Sequence, residues 1–158
     1  MSAQDRTVYL TPEGKARFTA ELHELTTVRR HEAEERIRHA KEGTDAVDNP
    51  EYEEAKNEQA FIEGRIKELE RLLATATIIE APVARPDYVK MGSRVTVVDR
   101  DREEQTYHLV GSSEAEPRKG LISNESPIGR ALLGKRVNDE VLVAAPAGSF
   151  TLTITRID

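Results

Sequence analysis

The run Tyr52-Glu53-Glu54-Ala55-Lys56-Asn57-Glu58-Gln59-Ala60-Phe61-Ile62-Glu63-Gly64-Arg65-Ile66-Lys67-Glu68-Leu69-Glu70-Arg71-Leu72-Leu73 decides how this chain folds. Tyr52, Ala55, Gln59, Ile62, Ile66, Leu69 and Leu73 recur at alternating spacings of three and four, the seam of a helix that packs along a partner helix. Upstream, Phe18, Leu22, Leu25, Val28, Ala33, Ile37 and Ala40 form a second such pattern, with a single spacing of five between Val28 and Ala33. Thr11-Pro12-Glu13 opens that first helix: a capping hydroxyl, a proline that needs no donor, and an acid facing the positive end of the dipole. Gly43 and Thr44 close it. Asp48 or Asn49 then caps the second helix, with Pro50 in its first turn and Glu51 three residues after Asp48. So short a connection makes the two helices antiparallel neighbours. A helix of about 30 residues reaches about 45 Å, so the tip stands far from any core.

Beyond Thr75 the period changes. Residues 1–10 read as a lead-in, Thr77–Ile79 as a short β segment, and Ala81–Asp87, with two prolines, as a linker. Arg94–Asp99 and Gln105–Val110 alternate as strands about a turn at Asp99–Arg102. Ser126-Pro127 opens a short helix through Leu133. Glu140–Ala144 and Phe150–Ile157 pair through Pro146–Ser149. The expected class is α+β in two domains: an antiparallel coiled-coil hairpin over 1–76 with an acidic tip at about 43–50, and an antiparallel β domain with a short helix over 77–158.

Composition narrows the function. The 158 residues carry a net charge of −6, with 12 basic against 17 acidic side chains before residue 77. That balance argues against a surface that grips nucleic acid throughout, though not against a local basic patch. No cysteine is present, which removes disulfides and thiolate metal sites and is compatible with the cytoplasm. No apolar run approaches a membrane span. His23, His31, His39 and His108 show no metal-ligand spacing and read as surface residues.

The tip is the informative stretch. Asp45 and Asp48 stand three apart where the chain reverses, with no neutralising neighbour in Gly43–Tyr52. They are hard oxygen donors suited to Mg²⁺, too few to bind it tightly unless another macromolecule completes the site. Capping is the alternative role for both.

The tip, Glu51-Tyr52-x-x-Ala55-Lys56-x-Glu58-Gln59, Glu63-Gly64-Arg65-Ile66, Leu10-Thr11-Pro12-Glu13-Gly14 and Ser126-Pro127-Ile128-Gly129-Arg130-Ala131-Leu132-Leu133-Gly134-Lys135 resemble the GreA-like Gre transcript-cleavage and elongation factors, in order and over nearly the whole chain. The resemblance implies a C-terminal domain of FK506-binding-protein-like fold that docks on bacterial RNA polymerase, while the coiled coil enters the secondary channel. Asp45 and Asp48 would there help hold a Mg²⁺ shared with the polymerase and orient water for hydrolysis of backtracked RNA. The protein would bind no cofactor alone and would not itself be an enzyme. Lys41, Lys56, Arg36, Arg38 and Tyr52 match the region that contacts the nascent RNA 3′ end, and Glu125, Ser126 and Pro127 the docking surface. Asp48 falls where the family has glutamate, which admits an alternative output, a regulator that occupies the channel and inhibits without stimulating cleavage. The implied fold also suggests a prolyl isomerase, but this half has no Trp, and Tyr88, Tyr107 and Phe150 are too few to line that pocket. A purely structural coiled-coil adaptor would leave the acidic tip unexplained. A seam satisfied within one chain points to a monomer.

Overall fold

The computed structural model describes residues 7–43, 49–80 and 85–158. They form two compact units: Lys15–Thr75, and Ala76–Asp158 together with the described residues up to Gly14.

The first unit is the helical hairpin. Helix α1 (Pro12–Glu24) runs through a wide turn at Leu25–Arg29 into α2 (Arg30–Gly43), and α3 (Pro50–Thr75) returns alongside. The wide turn explains the irregular spacing of five. The Arg30 N–H donates to the Leu25 carbonyl, five residues back, so one extra residue is absorbed. Thr26 and Thr27 donate their hydroxyls back to the Leu22 and His23 carbonyls of the preceding turn. The extra residue rotates Val28 out to 41% exposure, against its expected place in the seam, while Ala33 and Ala40 stay buried. Ala33 packs with Ile62 and Ile66, flanked by Leu22 and Leu25. Truncating either isoleucine to alanine would cost about 2–5 kcal/mol. Arg30 grips Glu63 at 2.7 and 3.1 Å, and Arg65 grips Glu21 at 2.8 and 3.0 Å, two forked bonds between the helices. The Arg30 guanidinium holds the Glu63 carboxyl below its usual range.

The second unit is built on a five-stranded sheet. Its strands β3 (Arg94–Val98), β4 (Glu104–Val110), β5 (Leu121–Ser123), β6 (Glu140–Ala145) and β7 (Gly148–Ile157) lie in the order β5-β4-β3-β7-β6. Alternation in β3 buries Val95 and Val97 and turns Arg94 outward. Those valines join Leu109, Ile122, Val141, Val143, Leu152 and Ile154 in the core, which helix α4 (Pro127–Leu132) completes with Leu132. The short strand β5 was not expected. It pairs parallel to β4, so the sheet is not antiparallel throughout. The β6–β7 turn is also tighter than expected: Ala145 pairs with Gly148, leaving only Pro146 and Ala147 between the strands. In β7 the register slips by one opposite Thr96 and Val97, and Thr155 bonds back to the Thr96 carbonyl at 3.2 Å. Nor is 1–10 wholly a lead-in: β1 (Tyr9–Leu10) pairs parallel with β2 (Thr77–Ile78). His108, expected on the surface, is half-buried on β4. Among the described residues no helix is long and apolar enough to cross a membrane.

Candidate functional site

Asn49 stands at the start of α3. Its side-chain oxygen accepts the Glu51 N–H at 3.0 Å, and its carbonyl accepts the Glu53 N–H at 3.2 Å, so α3 starts there with Pro50 at the first position. Its amide nitrogen donates to the Ala40 carbonyl of α2 at 2.9 Å. Asp45 and Asp48 themselves lie outside the described residues.

The half-buried ring of Tyr52 gathers two cations from opposite helices. Lys41 Nζ lies 5.6 Å from the ring centroid and Lys56 Nζ 5.2 Å. Each contact contributes about 0.5–1 kcal/mol at an exposed site. Two ammonium groups on one ring also make a local positive field in an otherwise acidic protein. Arg36 and Arg38, grouped with these lysines by sequence, are engaged differently. Arg36 pairs with Glu58 across the hairpin, and Arg38 with Glu35 on its own helix. The structure therefore brings Lys41, Lys56 and Tyr52 together and leaves the two arginines in ion pairs.

The second cluster lies in the other unit. Ser126 caps α4, accepting the Gly129 N–H at 3.1 Å while donating to the Ser123 carbonyl at 2.7 Å. Pro127 fills the first helical position. A Cβ on Gly129 would fall 2.0 Å from the Ser123 carbonyl oxygen, so this motif requires glycine there. Glu125 accepts from Ser112 Oγ at 2.9 Å, its N–H donates to Ser123 Oγ at 3.0 Å, and its carbonyl accepts Arg130 Nε at 2.8 Å. It lines a groove of about 240 Å³ with Tyr9, Ser112 and Asn124. Ser126 and Pro127 thus shape the loop and Glu125 presents a carboxylate in it. Sequence reasoning missed Ser112, whose only cue is a Ser-Ser pair after Gly111.

Among the described residues no group of three or more His, Cys, Asp or Glu side chains could hold a metal ion.

Comparison with known proteins covers both units. A family model described as "Transcription elongation factor, N-terminal" matches residues 8–78, and one described as "Transcription elongation factor, GreA/GreB, C-term" matches residues 84–158. The chain is 52% identical over 154 residues to transcription elongation factor GreA of Roseiflexus castenholzii, covering 97% of this chain and 98% of the relative. It is 46% identical over 156 residues to transcription elongation factor GreA of Geobacillus kaustophilus, covering 98% and 99%. Among solved structures, the GreA factor homolog 1 (Gfh1) protein of Thermus thermophilus is 33% identical over 97% of this chain and 99% of that one, with a TM-score of 0.44.

Proposed function

This chain belongs to the GreA/GreB family of transcription elongation factors, and on that footing we propose that it binds bacterial RNA polymerase, enters the secondary channel with its hairpin and stimulates cleavage of backtracked RNA. One observation carries this reading. Lys41 and Lys56 converge on Tyr52, within a few residues in sequence of Asp45 and Asp48. In sequence, this positive charge, suited to RNA phosphates, flanks two carboxylates suited to a metal, the pairing that phosphodiester hydrolysis needs.

Asp45 and Asp48 would hold a Mg²⁺ whose remaining ligands belong to the polymerase. Such an ion would supply charge stabilisation for in-line attack of water on the RNA phosphodiester. Lys41 and Lys56 draw the extruded strand toward the tip, and Tyr52 offers it a stacking face. Glu125, on the loop shaped by Ser126 and Pro127, serves as the docking contact. The factor lends residues to another protein's active site rather than catalysing alone.

The second reading, a channel-occupying inhibitor, is favoured by Asp48 itself, whose carboxylate is one methylene shorter than the glutamate of the family pattern. Backtracked elongation complexes separate the two. Cleavage stimulation predicts short 3′ RNA fragments on adding the protein, abolished by Asp45→Ala with polymerase binding retained. Glu125→Ala should instead raise the half-saturating concentration and leave the maximal rate unchanged. Slowed elongation without fragment release would establish the inhibitor.

A further inference from the structure

We propose that Ser112 is a positioning residue for docking, one that sets the Glu125 carboxylate before a partner arrives. This rests on the docking role given to Glu125 above and adds a residue to it. The sheet brings the participants together. Parallel pairing of β4 with β5 aligns Val110 with Ser123, so the segments that follow the two strands leave the sheet at the same end. Ser112 lies on one of those segments and Glu125 on the other. Gly111 lets the first run close against β1, since a Cβ there would fall 2.0 Å from the Tyr9 carbonyl oxygen.

Three hydrogen bonds then close a ring through Glu125. Its N–H donates to Ser123 Oγ at 3.0 Å, the Ser123 and Ser112 hydroxyls bond at 3.0 Å, and Ser112 Oγ donates to Glu125 Oε2 at 2.9 Å. A carboxylate only accepts and each hydroxyl has one proton, so Ser112 gives its proton to Glu125 and accepts from Ser123. Ser123 is buried, and Ser112 is the acceptor its hydroxyl needs. All three bonds run in one sense, and each polarises the next. Glu125 is thereby held at its backbone and at the far end of its side chain. Without the Ser112 bond, a docking partner would have to freeze a flexible glutamate, which costs about 3- to 10-fold in affinity. Ser112 makes that restriction part of the free fold.

Equilibrium titration of the fluorescently labelled full-length protein with bacterial RNA polymerase tests this. Ser112→Ala deletes the hydroxyl and should weaken binding by about 3- to 10-fold. Ser112→Thr keeps the hydroxyl and should bind like the wild type. In the S112A/E125A double variant the loss should be no greater than in E125A alone, because no carboxylate is left to position. A hydroxyl that merely supported the fold would weaken binding equally in both backgrounds. S112A binding as tightly as the wild type, or additive losses in the double variant, overturns this inference, while the proposed function stands on release of RNA fragments. If E125A binds like the wild type, the docking role of Glu125 falls and the role of Ser112 falls with it. Wild-type protein that does not bind polymerase at all removes the proposed function as well.

Discussion

Glu114 accepts both polar hydrogens of Thr11: the backbone N–H reaches one carboxylate oxygen at 2.8 Å and the hydroxyl reaches the other at 2.5 Å. Thr11 in turn caps α1 through the Gly14 N–H at 3.0 Å. A carboxylate supplied from far along the chain thus sits, buried, at the positive end of the helix that begins the hairpin. Gly14 leaves the space it occupies, since a Cβ there would fall 2.0 Å from a Glu114 oxygen.

Two glycine substitutions should therefore move stability in opposite directions. Gly64 in α3 has nothing within 4 Å of where a Cβ would sit. Gly64→Ala should gain about 0.5–1 kcal/mol from helix propensity. Gly14→Ala gains the same propensity but displaces a buried carboxylate from two hydrogen bonds, at about 1–3 kcal/mol each. Urea denaturation followed by ellipticity should show G64A above and G14A below the wild type.

Lengthening Asp48 should strengthen cleavage. Asp48→Glu adds one methylene, restoring the family's tip acid, and is expected to raise the maximal rate of RNA fragment release by tenfold or more. A D48E variant no faster than the wild type would mean that the shorter acid already reaches the site.

The wide turn at Leu25–Arg29 predicts an asymmetry between losing and gaining a residue. Deleting Thr27 shortens the interval from Leu25 to Ala33 to one heptad, which an ordinary helix accommodates with Ala33, Ile37 and Ala40 still in the seam. That variant should melt within a few degrees of the wild type. Inserting an alanine beside Thr27 rotates the same residues out of the seam and should cost about 2–5 kcal/mol. Thermal melts of the two variants check this.

The sheet unit should lose stability on mild acidification through His108. Burial, and then the Arg94 charge opposite it on β3, push the imidazole below its ordinary value; a bond with the Gly92 backbone and the Glu114 and Glu13 charges pull the other way. The unfolded chain takes up its proton near pH 6.5 and the folded one only at lower pH. Protonation therefore favours unfolding as the pH falls below about 6.5, and contributes nothing above it. His108→Gln should flatten the dependence of stability on pH between 7 and 5, measured by denaturation at each pH.

The long periodic elements were legible in the sequence because burial imposes its period on many residues at once. The α3 seam and the β3 alternation are of this kind. Val28 was misplaced because one extra residue in a helix shifts the phase of everything beyond it, and only the spacing of five betrayed it. Strands β1 and β5 span two and three residues, too short for any period to emerge. The site was legible in part. Tyr52, Lys41 and Lys56 cluster because the hairpin register brings them together. Arg36 and Arg38 look alike in sequence, but their acidic partners Glu58 and Glu35 claim them. Glu114 could not have been found, because its partner Thr11 is 103 positions away.

The pairing of Tyr9 with Thr77 and Leu10 with Ile78 has a consequence for how the chain assembles. These strands bracket the helices, so joining them from a random coil would mean closing a loop that includes the whole of the hairpin, at an entropic cost paid before any contact rewards it. Helices α2 and α3 meet through neighbouring segments and can zip from the turn outward on a microsecond scale. Once zipped, they bring residues 11 and 76 back toward one another and convert a distant encounter into a nearby one. A hairpin formed first would tether its own two roots and lower the entropic cost of joining β1 to β2.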